Sequence, residues 1–160
     1  MSHRRIAQTL ARSAILAALA LAALGPRPAE AQVALQFYPL TPCRLVDTRQ
    51  SPDTAYTDGQ TRTYNFHTSV PYTGTGACST IPSAAALLLT VNLQVASHMA
   101  YLTAYPDDAS LPTTSTVVAY NTGHFYTNTA IVPTGSDGGI KVYAQYAGNV
   151  VIDINGFFAP

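Results

Sequence analysis

Leu87-Leu88-Leu89-Thr90-Val91-Asn92-Leu93-Gln94-Val95 decides the fold class of this chain. Leu87, Leu89, Val91, Leu93 and Val95 share one face, and Leu88, Thr90, Asn92 and Gln94 share the other, because successive side chains of an extended strand point to opposite sides. A helix, at about 3.6 residues per turn, does not place Thr90, Asn92 and Gln94 at such regular alternate positions. The stretch is therefore a long strand with one core face.

The same period of two continues outward. Ile140 to Tyr146 alternates, Ala147-Gly148-Asn149 reads as a tight turn, and Val150, Ile152 and Ile154 then share one face against Asp153 and Asn155. These two runs are expected to form a hairpin that closes the domain, with Gly156 weakening or bending its last strand. Weaker strands are expected at Arg44 to Asp47, Thr61 to His67, Tyr101 to Tyr105, Thr116 to Tyr120 and Thr129 to Val132. Between them stand turn-forming segments such as Tyr105-Pro106-Asp107-Asp108, Asn121-Thr122-Gly123 and Ser136-Asp137-Gly138-Gly139. No stretch reads as an amphipathic helix of ordinary length. About eight short strands at roughly ten-residue spacing predict an all-β domain, an antiparallel β-sandwich or jelly roll.

The first thirty-one residues have a different character. Arg4, Arg5 and Arg12 form a basic start, Ala14 to Leu24 is an unbroken apolar run, and Ala29-Glu30-Ala31 is an A-x-A cleavage signature. Eleven apolar residues, at about 1.5 Å each in a helix, are too short for roughly 30 Å of hydrocarbon. Residues 1–31 thus read as a signal peptide rather than a membrane anchor, and 32–160 as a single exported domain, secreted to the cell surface or extracellular space, with the periplasm as the alternative. That domain keeps four basic residues (Arg44, Arg49, Arg62 and Lys141) against seven aspartates and no glutamate, a net charge of −3. Such a balance gives no basic patch for phosphates, so nucleic acid is not an expected partner. No second apolar run is long enough to span a membrane.

Both cysteines, Cys43 and Cys78, fall in the exported part, and an even count in an oxidising compartment predicts a disulfide. The bridge would close a loop of about 35 residues, a constraint of roughly 3–4 kcal/mol on the chain-entropy model. A nucleophilic thiol, needing a base such as His67, and half of a metal site are the rival readings.

Two segments resemble a family of secreted bacterial β-rich modules. Phe37-Tyr38-Pro39-Leu40-Thr41-Pro42-Cys43-Arg44-Leu45-Val46-Asp47-Thr48-Arg49 is similar to that family's TPCR-x-x-DTR opening, and Asp153-Ile154-Asn155-Gly156-Phe157-Phe158 to its closing motif. The resemblance covers nearly all of 32–160. It implies an extracellular β-sandwich module and carries over no catalytic residue.

Within the opening motif Asp47 and Arg49 lie two apart, hence on one side of a strand, and Asp153 stands on a strand near the C-terminus. These three read as a structural ion pair at the seam of the terminal strands; a catalytic or ligand cluster is the alternative. The motifs of known chemistry are missing: no G-x-S-x-G, no H-E-x-x-H and no Walker loop. His67, His98 and His124 lack ligand spacing, and Asp107-Asp108 reads as a solvated turn. No cofactor or metal is expected, with calcium on Asp137 and loop carbonyls as the one metal alternative. The remaining lead is tyrosine. Tyr105, Tyr120, Tyr126 and Tyr143 are candidate ligand or subunit contacts, since such rings stack on sugars or pack against a neighbour.

The composition, low in charge and rich in Thr and Tyr, favours a non-enzymatic structural or adhesion module, self-assembling into an oligomer or filament. A carbohydrate-binding module holding surface polysaccharide is the second reading. Gln32 to Leu40 is expected to act as a strand, pairing with its own sheet or with the exposed edge of a neighbour.

Overall fold

Residues 33–66, 78–81 and 84–160 are described in the computed structural model, and they form eight strands. The segment 1–31 read as a signal peptide, and His67, lie outside the described residues. The strands are β1 (Gln36–Asp47), β2 (Gln60–Asn65), β3 (Ala86–Val95), β4 (Ala100–Pro106), β5 (Val117–Ala119), β6 (Phe125–Pro133), β7 (Gly139–Ala144) and β8 (Gly148–Ala159). Among the described residues there is no helix, hence none long and apolar enough to cross a membrane.

The strands form two antiparallel sheets, ordered β1-β8-β3-β6 and β2-β7-β4-β5. The first strand pairs with the last, the second with the seventh, the third with the sixth and the fourth with the fifth. This nesting is a long double ribbon rolled on itself, the jelly-roll order, so the all-β sandwich expected from the sequence is present. The core lies between the sheets. Leu87, Leu89, Val91, Leu93 and Val95 of β3 and Val150, Ile152 and Ile154 of β8 face Leu102 of β4 and Ile140 and Val142 of β7, all fully buried. Each such side chain contributes about 1.5–3 kcal/mol by leaving water.

The closing hairpin expected from 140–154 does not form. β7 lies between β2 and β4 in the second sheet, whereas β8 lies between β1 and β3 in the first. Alternation reports which face of a strand is buried, and two strands stacked across a core show the same pattern as two strands paired side by side. The link between them instead crosses from sheet to sheet. Gly148 allows this crossing, because a Cβ there would stand 2.4 Å from the Gln94 carbonyl oxygen. Its N–H and C=O both bond the backbone of Tyr56, at 3.2 and 2.9 Å.

Gln36–Pro39 pairs with Gly156–Ala159 of its own sheet. The bend expected at Gly156 is a register shift between Leu88 and Leu89 of β3 opposite β8, and Asn155 is the extra residue. Gly156 has a packing reason as well. A Cβ there would stand 2.6 Å from the Phe37 ring and 2.8 Å from the Tyr38 carbonyl oxygen, so the Phe37 ring packs directly against the glycine. Cys43 and Cys78 are joined, with Cα atoms 5.0 Å apart, which ties β1 to the chain beyond β2.

Candidate functional site

The opening motif folds into an ionic clamp at the β1–β8 seam. Asp47 ends β1 with its side chain fully buried. Arg49 grips it side-on, Nε donating to Oδ1 at 2.7 Å and Nη2 to Oδ2 at 2.6 Å, while the Arg49 backbone N–H donates to Oδ1 at 3.2 Å. Arg44 Nη1 donates to Asp47 Oδ2 at 2.7 Å, and Arg44 Nε donates to Asp153 across the pair of strands. The Arg49 hydrogen bonds hold the Asp47 carboxyl below its usual range, against an opposing effect of burial. An aspartate gripped by two guanidinium groups and kept ionised is a poor proton donor. Asp47 and Arg49 thus meet directly, whereas Asp153 joins them through Arg44, a residue of the motif that was not singled out. The Arg49 guanidinium also stands 5.4 Å over the Phe125 ring.

Register carries this clamp into a larger surface. On the outward face of the first sheet, the polar half comprises Arg44, Asp47 and Asp153, then Thr90, Asn92, Gln94, Asn149, Asn155 and Thr127. These side chains bond one another: Asn155 Nδ2 to Thr90 Oγ1 at 2.8 Å, Asn149 Nδ2 to Gln94 Oε1 at 3.2 Å, and Thr127 Oγ1 to Asn92 Oδ1 at 2.5 Å.

The other half of the same face is apolar. Phe37, Phe158, Ala86 and Pro133 form one row across the four strands, and Pro39, Gly156, Leu88 and Ile131 form the next. Phe37 and Phe158 pack with centroids 5.1 Å apart. Phe37 remains 45% exposed and Ile131 59%. On the reverse of the same ribbon, Tyr38 stacks on Phe157 at 5.1 Å. The signal for this band was present in the alternation of β3 and β6, but the apolar outward residues of four separate strands meet only through register.

The candidate tyrosines do not form one patch. Tyr143 and Tyr101 sit side by side on the outward face of the second sheet, half-buried, with centroids 6.0 Å apart. Burial, then the neighbouring Tyr101, pushes the Tyr143 hydroxyl above its ordinary range. Tyr105 shares that face but is only 6% exposed, so its ring is not open to a partner. The connection after β4 lies on that side, where Thr103 Oγ1 donates to the Thr114 carbonyl at 3.0 Å. Tyr120 and Tyr126 meet elsewhere, edge to face at 6.0 Å, beside β5 and β6. They line an open pocket of about 310 Å³ together with Thr116, Val118, Thr127 and Asn128.

Asp137 and Asp108 gather near Asp107, whose Oδ1 is buried without a hydrogen-bond partner. Burial, and then Asp137, raises the Asp107 carboxyl above its usual range. Among the described residues no group of three or more His, Cys, Asp or Glu is placed to hold a metal ion. His98 accompanies Ser97 and the Tyr146 ring, and His124 is exposed. No protein-family model matches the chain, and no curated protein gives a significant match.

Proposed function

We propose that this protein is a non-enzymatic structural or adhesion module of the extracellular space or cell surface, exported by its first thirty-one residues, which joins a second copy of itself through the apolar half of the first sheet. The observation that carries this reading is the band of Phe37, Phe158, Leu88, Ile131 and Pro133, in which Phe37 is 45% and Ile131 59% exposed. Contiguous apolar surface of this kind marks contact sites on soluble proteins. The band contains no charged side chain, so two copies face one another without like-charge repulsion. It adjoins β6, an edge strand of nine residues that pairs with β3 without a bulge and carries no charge. Edges of that kind are the ones that accept another chain. The opposite edge, β1, is interrupted by Pro39, Pro42 and two register shifts, devices that discourage pairing.

The disulfide is compatible with an oxidising compartment. The gripped, ionised Asp47 supports a structural role for the motif rather than a catalytic one. Light scattering of the secreted protein over a range of concentrations, with electron microscopy of the same sample, tests the reading. Dimers or ordered fibres are expected. A monomer at every concentration would overturn it.

A further inference from the structure

We propose that the cleft between β5 and β6 is a subsite for one ring of a neutral saccharide. This goes beyond self-association and uses a different part of the molecule, since the apolar band meets β6 at Ile131 and Pro133 and the cleft meets it at Tyr126 to Asn128. The cleft exists because the two sheets end there on strands that do not pair. β6 closes the first sheet, and β5, only three residues long, closes the second. The sandwich is therefore left open at this corner.

The opening is small and uncharged. Its volume of about 310 Å³ lies at the low end of ligand pockets, which run from roughly 300 to 1,000 Å³. That is room for one ring rather than for a large cofactor. Its lining is tyrosine, threonine, serine, valine and asparagine, with no charged side chain. Phosphates, uronic acids and amines would find no opposite charge there. A neutral ligand with an apolar face and many hydroxyls matches it instead. Tyr120, 63% exposed, offers a ring face at the rim, and Tyr126 stands at 72° to it. One ring can stack on the C–H face of a sugar while the other meets its edge.

The polar groups are held in place before any ligand arrives. The Tyr126 hydroxyl accepts the Asn121 N–H at 3.1 Å, leaving its own proton to donate. Asn128 Nδ2 donates to the Thr116 carbonyl at 2.7 Å, and Asn128 Oδ1 accepts the Thr129 N–H at 2.9 Å. Each amide atom retains one further bonding position for a sugar hydroxyl. Groups fixed in advance lose little entropy on binding.

Affinity electrophoresis of the intact secreted protein in gels containing laminarin, galactomannan or dextran tests this, with alginate as the charged control. Retardation by at least one neutral polysaccharide and none by alginate is expected. Tyr120→Ala should weaken that binding about tenfold, the scale of an aromatic contact at a binding centre, and Tyr126→Phe should weaken it less. Tyr143→Ala, on β7 and outside the lining of the cleft, should leave it unchanged. No retardation in any neutral gel, retardation in alginate alone, or binding that survives Tyr120→Ala overturns the proposal. The Tyr120→Ala protein keeps the apolar band, so its mass by light scattering reports self-association separately.

Discussion

The two halves of the outward face of the first sheet stand on the same four strands and differ in where their side chains are directed. In the polar half, Arg49 and Arg44 bond Asp47, Arg44 bonds Asp153, and Asn155 with Thr90, Asn149 with Gln94 and Thr127 with Asn92 bond in pairs. In the apolar half, Phe37 and Phe158 touch each other, and Ile131 and Phe37 project to solvent. Charged and amide groups at the first location join the strands of the molecule to themselves. The second location has nothing within the described residues to cover it. The lesson is that the more chemically conspicuous half is the internal one, and the plainer half is the one available to a partner.

The largest effect is expected in the polar half. Asp47→Ala removes the carboxylate shared by two partly exposed guanidinium groups and should cost about 3 kcal/mol, two hydrogen bonds to charged groups at about 1.5 kcal/mol each. Urea denaturation measures it; a loss under about 1 kcal/mol would show the clamp to be an ordinary surface pair and would remove the contrast. In the apolar half, Gly156→Ala pushes a methyl group into the Phe37 ring. A cost of about 1–3 kcal/mol is expected, as for an overpacked core, together with a change in the near-ultraviolet signal of the aromatic pair. A neutral outcome would mean that Phe37 is not seated on the glycine.

Acid titration sharpens the comparison by sign. The Asp47 carboxyl is lowered by Arg49, so its stabilising effect is present above the ordinary carboxylate value of 3.8 and is lost as pH falls through its depressed folded value. The Asp107 carboxyl is raised by burial and Asp137, so its effect is present below 3.8 and is lost as pH rises through its elevated folded value. Stability should therefore climb as pH leaves the acid range and then decline slightly. Asp107→Asn should abolish the decline and leave the climb. An unchanged profile in that variant would contradict the assignment.

The strands were legible in the sequence wherever one face is buried, most clearly at Leu87 to Val95. Their partners were less so. Ile140 to Ala144 and Val150 to Ile154 show the same alternation whether they pair or stack, and the jelly-roll order places them in opposite sheets. Gln32 to Leu40 and Arg44 to Asp47 read as two separate strands because Pro39 and Pro42 break the period, whereas Gln36–Asp47 is the single strand β1. Tyr56 carries no periodic signal in the sequence. It is an isolated aromatic between turns, yet it is 1% exposed, bonds the Tyr64 hydroxyl at 2.9 Å and lies 4.1 Å under the Arg62 guanidinium. Tyr105 shows the converse, an outward tyrosine buried on a face along which the connection to β5 runs. The apolar band and the Tyr120–Tyr126 cleft depend on register between strands distant in sequence, which a single chain read locally does not reveal.

The smallest expected change in folding carries the most direct test. Ile131 is exposed, so Ile131→Lys should alter stability by no more than about 0.5 kcal/mol while placing a charge in the apolar band at its β6 edge. Light scattering of the wild-type protein and of this variant, compared over the same concentrations, decides the matter. The wild-type mass should rise with concentration to a dimer or beyond, and the variant should remain monomeric, with the melting temperature the wild type shows at its lowest concentration. A wild-type protein that stays monomeric, or a variant that assembles as the wild type does, would contradict the assignment of the apolar half as the contact surface.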